Sequence, residues 1–370
     1  MSKIGDESDD ISSAHEQAPT SIIDWLLRNG ASATSPAALL GNLCDRIAAA
    51  EVPIAQALLT VASLDPMVAR TRLCWRRRDG RVAEEIQFHG MAPIMALTSD
   101  ARSLRFTFPA TLHQIEWLVE DSAILDASLH QYLEAVTLAM GSPLQAVVER
   151  GITRSLLQAY LGRRSADRVL NGTIRRGTGE VIDAVVWISD LRDFTQLSER
   201  LESDQMIAAL NDSCARLVGA IQPFGGEVLK FIGDGILAIF PTAHRGERAA
   251  CDAALTAVRA ARDGMARLDG ERVSANLPPL PFGVGLHLGQ VVYGNIGAPD
   301  RLDFTAIGPA VNVASRIEGL CRELACPVLV SEAVANHCSS AMAAIGRYSL
   351  RGSTDAVALY TLPELLPARA

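Results

Sequence analysis

The spacing of apolar residues changes several times along the chain, and each change predicts a different kind of element. Helical spacing begins at Ser21. Two successive stretches then keep one apolar face at helical spacing, first Leu39, Leu40, Leu43 and Ile47, then Ile54, Leu58 and Val61. Residues 68–88 predict a β-hairpin, because Asp79-Gly80 is typical of a two-residue turn between paired strands. A further strand is predicted within residues 104–120, and helical spacing returns from about 122 to 170.

These elements divide the first half of the chain into three parts. Residues 1–20 are rich in Ser, Asp and Glu and predict a disordered N-terminus. Residues 21–150 predict helices around a small sheet, a mixed α/β domain that is similar to GAF-type regulatory domains, although no ligand motif identifies a signal. Residues 151–178 predict a linker helix that couples this domain to the second half of the chain, and an ordinary connector is an equally good interpretation.

The second half of the chain predicts helices packed on an antiparallel sheet. A buried strand is expected at residues 181–189, and the following helix carries apolar residues at Ile207, Leu210, Cys214, Leu217 and Ile221. Gly225-Gly226 opens a predicted hairpin with strands near 226–232 and 236–240. The remaining expected elements are a helix at 245–268, strands at 282–288, 290–296 and 302–307, a helix from Pro309 and a strand at 328–331. Two helices on an antiparallel sheet form the ferredoxin-like plan, so the predicted fold class is α+β.

Two short segments carry the candidate chemistry, because in each an apolar strand runs into an aspartate at a turn. Residues 187–195 have the sequence WISDLRDFT, and residues 225–234 have the sequence GGEVLKFIGD. The strand-end carboxylates, Asp190 and Asp234, are expected to be exposed and rigidly held. Two such carboxylates together suit hard divalent cations, which take oxygen ligands. Taken singly, Asp190 also fits a helix N-cap and Asp234 an ordinary turn residue.

Further polar residues extend the candidate site toward a nucleotide. Lys230 lies in the second segment, and a helix that starts at Pro309 puts Asn312 and Arg316 one turn apart on the same face. Two acids, a lysine, an amide and an arginine suit a nucleoside triphosphate bound with metal. In isolation, Lys230 is better interpreted as a solvated strand lysine, and Arg316 fits a salt bridge to a neighbour such as Glu318 equally well.

In this order and spacing, residues 180–362 resemble the catalytic domain of class III adenylate/guanylate cyclases, over about half of the chain. The resemblance implies attack of the ribose 3'-hydroxyl on the α-phosphorus with release of pyrophosphate. It implies that Asp190 and Asp234, with the backbone carbonyl of Leu191, bind two Mg²⁺ or Mn²⁺ ions per active site. It also implies the class III form of the ferredoxin-like fold, with extra strands, in a catalytic domain at residues 179–365.

The resemblance assigns phosphate binding to Leu191 through Thr195, including Phe194, by backbone N–H groups at a helix start. Asp193 stands where the family usually has glycine, and its carboxylate would repel a triphosphate unless it points to solvent. Pro309 replaces an aspartate that is common in the family, and proline is well tolerated in the first turn of a helix.

Base recognition is implied at Lys230 and Thr305. Lysine only donates hydrogen bonds, so it suits the unprotonated N1 of adenine and opposes the N1–H of guanine. Thr305 stands where many adenylate cyclases have aspartate, and its hydroxyl can accept from the adenine amino group. ATP is therefore the expected substrate and 3',5'-cyclic AMP the expected product. The alternatives are a guanylate cyclase and a catalytically inactive cyclase-like module that binds only nucleotide or a partner.

Asn312 and Arg316 match the residues that orient the ribose and stabilise the charged transition state. Lys230 and Asp234 are four residues apart, whereas a base and a triphosphate lie at opposite ends of ATP. The family resolves this difference with a head-to-tail homodimer. Each shared site is then expected to take Asp190 and Asp234 from one chain, and Lys230, Thr305, Asn312 and Arg316 from the other.

Composition indicates which type of protein and which cellular compartment to expect. The chain has 370 residues, enough for two domains, and its 49% hydrophobic and 21% charged residues fit a folded protein. A net charge of −8 gives no electrostatic case for nucleic acid or an anionic membrane. No apolar run approaches the roughly 20 residues of a membrane span, and no signal peptide is recognisable. The seven scattered cysteines predict free thiols in a reducing compartment, so a cytoplasmic protein is expected.

Overall fold

The computed structural model describes residues 21–62, 68–88, 102–109, 111–121, 123–172, 175, 177, 179–350 and 356–366. The chain divides into two compact units, Met1–Leu157 and Gln158–Ala370. The disorder expected for residues 1–20 lies outside the described residues.

The first unit builds a five-stranded antiparallel sheet that packs against helices. Helix α1 covers residues 21–29, and a 3₁₀ turn at Gly30–Ser32 leads to α2 (Pro36–Ala49). The strands are β1 (Ile54–Ala62), β2 (Val68–Arg76), β3 (Arg81–Phe88), β4 (Ser103–Thr107) and β5 (Gln114–Val119), in the order β3-β2-β1-β5-β4. Helix α3 (Ala127–Leu161) follows and contributes Leu133, Val136, Met140 and Leu144 to the core around Trp75 and Trp117.

Three predictions for this unit need correction. The helical spacing of Ile54, Leu58 and Val61 belongs to strand β1, which lies between β2 and β5 and buries Ala57, Leu58 and Leu59 in succession. The hairpin at residues 68–88 forms, but four residues connect its strands, because Arg76 pairs with Arg81. The single strand expected within residues 104–120 is a pair of strands, β4 and β5.

The predicted linker helix is interrupted by a glycine. Helix α3 ends at Leu161, and a separate helix α4 covers Arg163–Leu170. Between them Gly162 has a φ of +79°, a left-handed conformation that favours glycine. A Cβ at this position would also lie 3.1 Å from the Val228 carbonyl oxygen. The helical part therefore ends at residue 170 rather than continuing toward 178.

The second unit has the ferredoxin-like βαββαβ order, and further strands extend its sheet. Its first elements are β6 (Gly179–Leu191), α5 (Phe194–Ser198), α6 (Ser203–Ile221), a 3₁₀ turn (Gln222–Phe224), β7 (Glu227–Ile232), β8 (Gly235–Pro241), α7 (Gly246–Ser274) and β9 (Phe282–Ala298). Then come β10 (Arg301–Ile307), α8 (Pro309–Glu323), β11 (Val328–Ser331), α9 (Glu332–His337), β12 (Ala343–Ser349), β13 (Ala356–Thr361) and a 3₁₀ turn (Pro363–Leu365). The strand order is β12-β13-β11-β9-β6-β8-β7, and β10 pairs with β9.

The two faces of this sheet have different cover, because successive side chains of a strand point to opposite faces. Val185 and Trp187 of β6 join the core under α6 and α7. Ala184 and Val186 of the same strand join a second cluster that includes Ala310 of α8. Asp190 alternates in step with Ala184 and Val186 along β6, so its side chain lies on the α8 side of the sheet.

Strand β9 is longer than predicted. The strands expected at 282–288 and 290–296 are one continuous strand, which pairs with β6 from Gly179–Gly294 to Leu191–Phe282. Gly289, between the two predicted ranges, lies within the strand, where a Cβ would come within 3.0 Å of the Ala310 side chain. Helix α7 likewise extends past 268 to Ser274.

Two expectations from composition can be compared with the described residues. All seven cysteines are free thiols, four of them buried, as predicted. In the part of the chain that the structure describes, none of the helices combines the length and apolarity that crossing a bilayer requires.

Candidate active site

Asp190 and Asp234 come together where β6 and the β7–β8 hairpin end. Asp190 is the penultimate residue of β6, and Asp234 lies in the turn between β7 and β8. Strand β8 pairs with β6 as far as Ser189–Ile236, which brings the turn beside Asp190. Gly235 permits the close approach, because a Cβ there would lie 3.0 Å from Asp190 Oδ1.

The two carboxyl groups share a hydrogen bond, and the environment favours a proton on Asp190. Burial, the neighbouring charges of Asp234 and Glu318, and that hydrogen bond raise the pKa of Asp190 to about 6. Arg192 acts in the opposite direction and lowers it. Two carboxyl groups held this close repel each other when both are ionised, and a proton or a cation between them relieves that repulsion.

This arrangement fits a hard divalent cation. Within the described part of the chain, no cluster of three or more His, Cys, Asp or Glu side chains is arranged to hold a metal. Asp190 and Asp234 would therefore supply carboxylate oxygens, and the adjacent backbone carbonyl of Leu191 could supply another. Mg²⁺ is usually bound in this way, by one or two carboxylates plus substrate phosphates rather than by an all-protein cage.

The turn after β6 explains the departure at Asp193. This residue has φ +56° and ψ +22°, in the left-handed region that aspartate tolerates better than most residues other than glycine. Its side chain is exposed and forms an ion pair with Arg322, 3.2 Å from Oδ1 to Nη2. The carboxylate thus points away from the turn toward a cation on α8. Next to it Phe194 is buried and Thr195 is exposed at the start of α5.

Lys230 lies on β7 and reaches across to β10. Its ammonium group forms an ion pair and hydrogen bond with Asp303. Thr305 is buried two residues further along the same strand and faces the same side of the sheet. The simple interpretation of Lys230 as a solvated strand lysine does not hold, because its side chain is largely covered and paired.

Asn312 and Arg316 lie on α8, which begins at Pro309 as predicted. Gly308 precedes the helix with φ +138°, a conformation that favours glycine, and Pro309 occupies its first turn. Asn312 is exposed and Arg316 is partly exposed. Arg316 has no ion-pair partner among the described residues, and Glu318 pairs with Arg192 instead.

The predicted site residues therefore form three groups on this chain. After the roles that the resemblance implies, we call Asp190, Asp234 and the turn 191–195 the metal half, and Asn312 with Arg316 the ribose half. Lys230 and Thr305 form the third group. Sequence reasoning missed Asp303, Arg192 and, as a partner of Arg192, Glu318. Only Asp303 had a usable signal, since it stands two residues before Thr305 on a predicted strand.

Comparisons with known proteins identify the family to which the second half of the chain belongs. The family model described as the adenylate and guanylate cyclase catalytic domain matches residues 180–364, half of the chain. The chain belongs to this family.

Several individual proteins are similar to this chain. An adenylate cyclase of Anabaena cylindrica is 35% identical over 170 residues, covering 45% of this chain and 33% of the relative. Adenylate cyclase 1 of Rhizobium meliloti (strain 1021) is 27% identical over 270 residues, covering 71% of this chain and 37% of the relative. The chain thus spans about a third of the length of these relatives. A solved bacterial light-regulated adenylyl cyclase has the same fold, with a TM-score of 0.53 at 23% identity over 70% of this chain and 85% of that one.

Proposed function

We propose that this chain is an adenylate cyclase that converts ATP to 3',5'-cyclic AMP and pyrophosphate. The observation that carries the proposal is the pair of carboxyl groups, Asp190 and Asp234, held against each other at the ends of their strands. Membership of the cyclase family and the adenylate cyclase names of its relatives support the same reaction.

The reaction needs no nucleophile from the protein. The ribose 3'-oxygen forms a new bond to the α-phosphorus, the bond from that phosphorus to the bridging oxygen breaks, and pyrophosphate leaves. Two Mg²⁺ or Mn²⁺ ions, when bound, would lower the pKa of the 3'-hydroxyl and offset charge on the triphosphate. Asp190 and Asp234 would hold these ions, and the backbone N–H groups at the start of α5 would bind phosphate oxygens. Asn312 orients the ribose, and Arg316 directs its planar donors at the phosphate.

ATP is proposed as the substrate because of the group around Lys230. Lysine donates to the unprotonated N1 of adenine, and the Thr305 hydroxyl accepts from the amino group. Asp303, which pairs with Lys230, offers a second acceptor for the same amino group. Guanine would present an N1–H to the lysine and leave two donors opposed, which disfavours GTP strongly in a closed site.

We further propose a homodimer with shared active sites. Support comes from apolar side chains that remain exposed on the hairpin that carries Lys230 and Asp234: Phe231 is 54% exposed and Ile232 is 55% exposed. Leu302 and Ile307 on β10 and Val292 on β9 are also exposed. A partner chain that covers these residues would lie beside the groups that a complete site needs.

We propose that residues 21–150 form a regulatory domain of GAF type, that 151–178 couple it to the catalytic domain, and that the catalytic domain covers 179–365. The five-stranded antiparallel sheet of the first unit is compatible with that type of domain. A cytoplasmic location is proposed because free thiols are typical of reducing compartments.

The test is a product assay. Purified protein is incubated with ATP or with GTP, in Mg²⁺ or in Mn²⁺, and cyclic nucleotide is measured. We expect cyclic AMP from ATP, and loss of activity in Asp190→Ala and Asp234→Ala, because losing a metal ligand removes several kcal/mol of transition-state stabilisation. Asp212→Ala, on the exposed side of α6, is the matched control. Activity within about tenfold of wild type in either site variant, or cyclic GMP as the main product, contradicts the proposal.

A further inference from the structure

A buried ion pair joins the metal half to the helix that carries the ribose half. Arg192 directly follows Leu191, and its Nη2 lies 2.9 Å from Glu318 Oε1 of α8. The two side chains are only 15% and 10% exposed. The Arg192 guanidinium passes over Gly283 of β9, where a Cβ would overlap it. The backbone N–H of Arg192 also donates to the Pro281 carbonyl, so this turn is held from two sides.

A second, exposed ion pair runs beside the first. Asp193 pairs with Arg322, which lies one turn after Glu318 on α8. Two consecutive residues of the turn, positive then negative, thus face two helix residues of the opposite charges. Burial raises the pKa of Glu318, and the neighbouring charges of Arg192 and Arg322 act against this shift. The two acidic and two basic side chains therefore form one cluster of paired opposite charges.

Helix α8 is fixed against the sheet at the same place. A Cβ at Gly285 of β9 would lie 2.5 Å from the backbone nitrogen of Glu318, so the helix rests directly on the strand. Asn312 and Arg316 are on this helix, up to two turns before Glu318. Glu318 therefore connects the turn that carries Arg192 to the helix of the ribose half.

We propose that the Arg192–Glu318 pair, together with Asp193–Arg322, is a positioning link that makes the metal half and the ribose half of one chain move together. The inference rests on the proposed function, in which those halves serve different active sites of a homodimer. The link then couples the two sites, because metal binding at one site constrains the residues that the same chain contributes to the other. Arg192 and Glu318 are positioning residues, and neither has to touch substrate.

The first test uses Mn²⁺ alone and does not depend on catalysis. Hydrogen exchange is measured in peptides that cover residues 187–195 and 309–323, with and without Mn²⁺. In the wild type we expect slower exchange in both segments. Glu318→Gln and Arg192→Gln should keep the response in 187–195 and lose it in 309–323. Glu318→Gln removes a negative charge and Arg192→Gln removes a positive charge, but both break the same ion pair. If both variants lose the response in 309–323, the cause is the broken ion pair and not a change in the electrostatic potential at the metal site.

The control is Glu271→Gln, which breaks the Arg216–Glu271 pair between α6 and α7 at 2.9 Å and should respond like the wild type. If Mn²⁺ slows exchange in 187–195 but leaves 309–323 unchanged in the wild type, the link does not exist and the metal site stands. If Mn²⁺ changes exchange in neither segment, the chain does not bind the metal at this site, and both the metal site and the link are rejected. A full response in both variants also overturns the link.

The second test uses mixed dimers with one intact site. Asp234→Ala chains combined with Arg316→Ala chains leave one site, whose ribose half comes from the Asp234→Ala chain. Adding Glu318→Gln to that chain changes nothing in the metal half that the intact site uses. We expect its kcat to fall about tenfold, since small displacements of a catalytic group are costly. An unchanged kcat would show that the Arg192–Glu318 pair does not position the ribose half of its own chain, and would overturn the proposed link.

Folding is checked in both tests by the melting temperature. If Glu318→Gln does not fold, Arg322→Gln replaces it, because this side chain is exposed and its loss should leave the fold intact. That variant should weaken the response of 309–323 to Mn²⁺ without removing it. A response equal to that of the wild type in Arg322→Gln would overturn the link.

Discussion

Asp190 holds its proton more tightly in the folded protein than in the unfolded chain. Its pKa is raised to about 6, mainly by burial and then by the charge of Asp234, whereas an unfolded aspartate titrates near pH 3.9. The folded state therefore binds more protons than the unfolded state between these values. The resulting contribution to stability is fully present below about pH 4 and is lost as the pH rises through about 6.

We expect this contribution to lower the melting temperature of the metal-free protein as the pH rises from about 4.5 to about 7. Asp190→Asn, which does not titrate, should flatten the profile over the same range. Mn²⁺ should raise the melting temperature more at about pH 7.5 than at about pH 5, because the cation replaces the proton only where Asp190 ionises. Thermal unfolding scans at fixed Mn²⁺ measure both effects. An equal shift at the two pH values would contradict a cation bound at Asp190.

Lys230 allows a test of base selection. Lys230→Glu should depress kcat/KM for ATP more than for GTP, because glutamate accepts from N1–H of guanine and opposes N1 of adenine. The structure adds a complication, since the new carboxylate would face Asp303. Lys230→Glu is therefore compared with Lys230→Glu combined with Asp303→Asn, which removes that repulsion. An unchanged ATP-to-GTP ratio of kcat/KM in both variants would show that Lys230 does not select the base.

The residues that sequence reasoning found and those it missed differ in one physical respect. Asp190 and Asp234 each follow an apolar strand, so the local pattern marks them. Arg192 and Glu318 are 126 residues apart, and Lys230 and Asp303 are 73 apart. No local spacing records such pairs, because they arise only when β9, β10 and α8 pack against the other strands.

At the level of elements, periodicity identified helices that have one buried face, whereas strand β1, which is buried on both faces, was mistaken for a helix. Helices α6 and α7 each pack one side on the sheet, and their apolar positions predicted them with the ferredoxin-like order. Strand β1 is covered on both sides, so Ala57, Leu58 and Leu59 are all buried and the alternation typical of a strand disappears. What remained at Ile54, Leu58 and Val61 was a spacing that a helix fits equally well.

Helix α4 is anchored to the strands of the second unit by polar contacts. Arg164 pairs with Glu227 at 2.8 Å, at the start of the strand that also carries Lys230. Arg168 pairs with Glu180 of β6. The hydroxyl groups of Ser165 and Tyr293 lie 2.9 Å apart. Through these contacts, a displacement of α4 would reach β7 directly.

We expect deletion of residues 1–150 to change basal cyclase activity, in either direction, because coupling requires that the two states of α4 interact differently with the catalytic domain. In a background of Arg164→Gln and Arg168→Gln the same deletion should have a smaller effect, since the contacts that transmit it are gone. Arg259→Gln, which breaks an exposed pair with Glu364, is the control background. Specific activity and dimerisation are measured in all six proteins. Equal activity with and without residues 1–150 would make the first unit a passive attachment.

At the scale of the whole molecule, the shared-site dimer predicts rescue between two inactive proteins. Asp234→Ala chains and Arg316→Ala chains each form dimers with two defective sites. In a mixed dimer one site collects both lesions and the other is intact. Random pairing makes half of the dimers mixed, so activity should recover to about one quarter of wild type. Activity is measured after a period that allows subunits to exchange, and mixed dimers are isolated through two different tags. A purified mixed dimer as inactive as its parents would exclude shared sites.

Because every chain carries both the carboxylates and Arg316, this arrangement has a genetic consequence. A copy with one lesion leaves a working site when it pairs with a normal copy, so it behaves as a partial loss of function. A copy with Asp234→Ala and Arg316→Ala together spoils both sites of every dimer that it enters. Expressed in excess, such a copy would silence the normal chains without any change in their own gene.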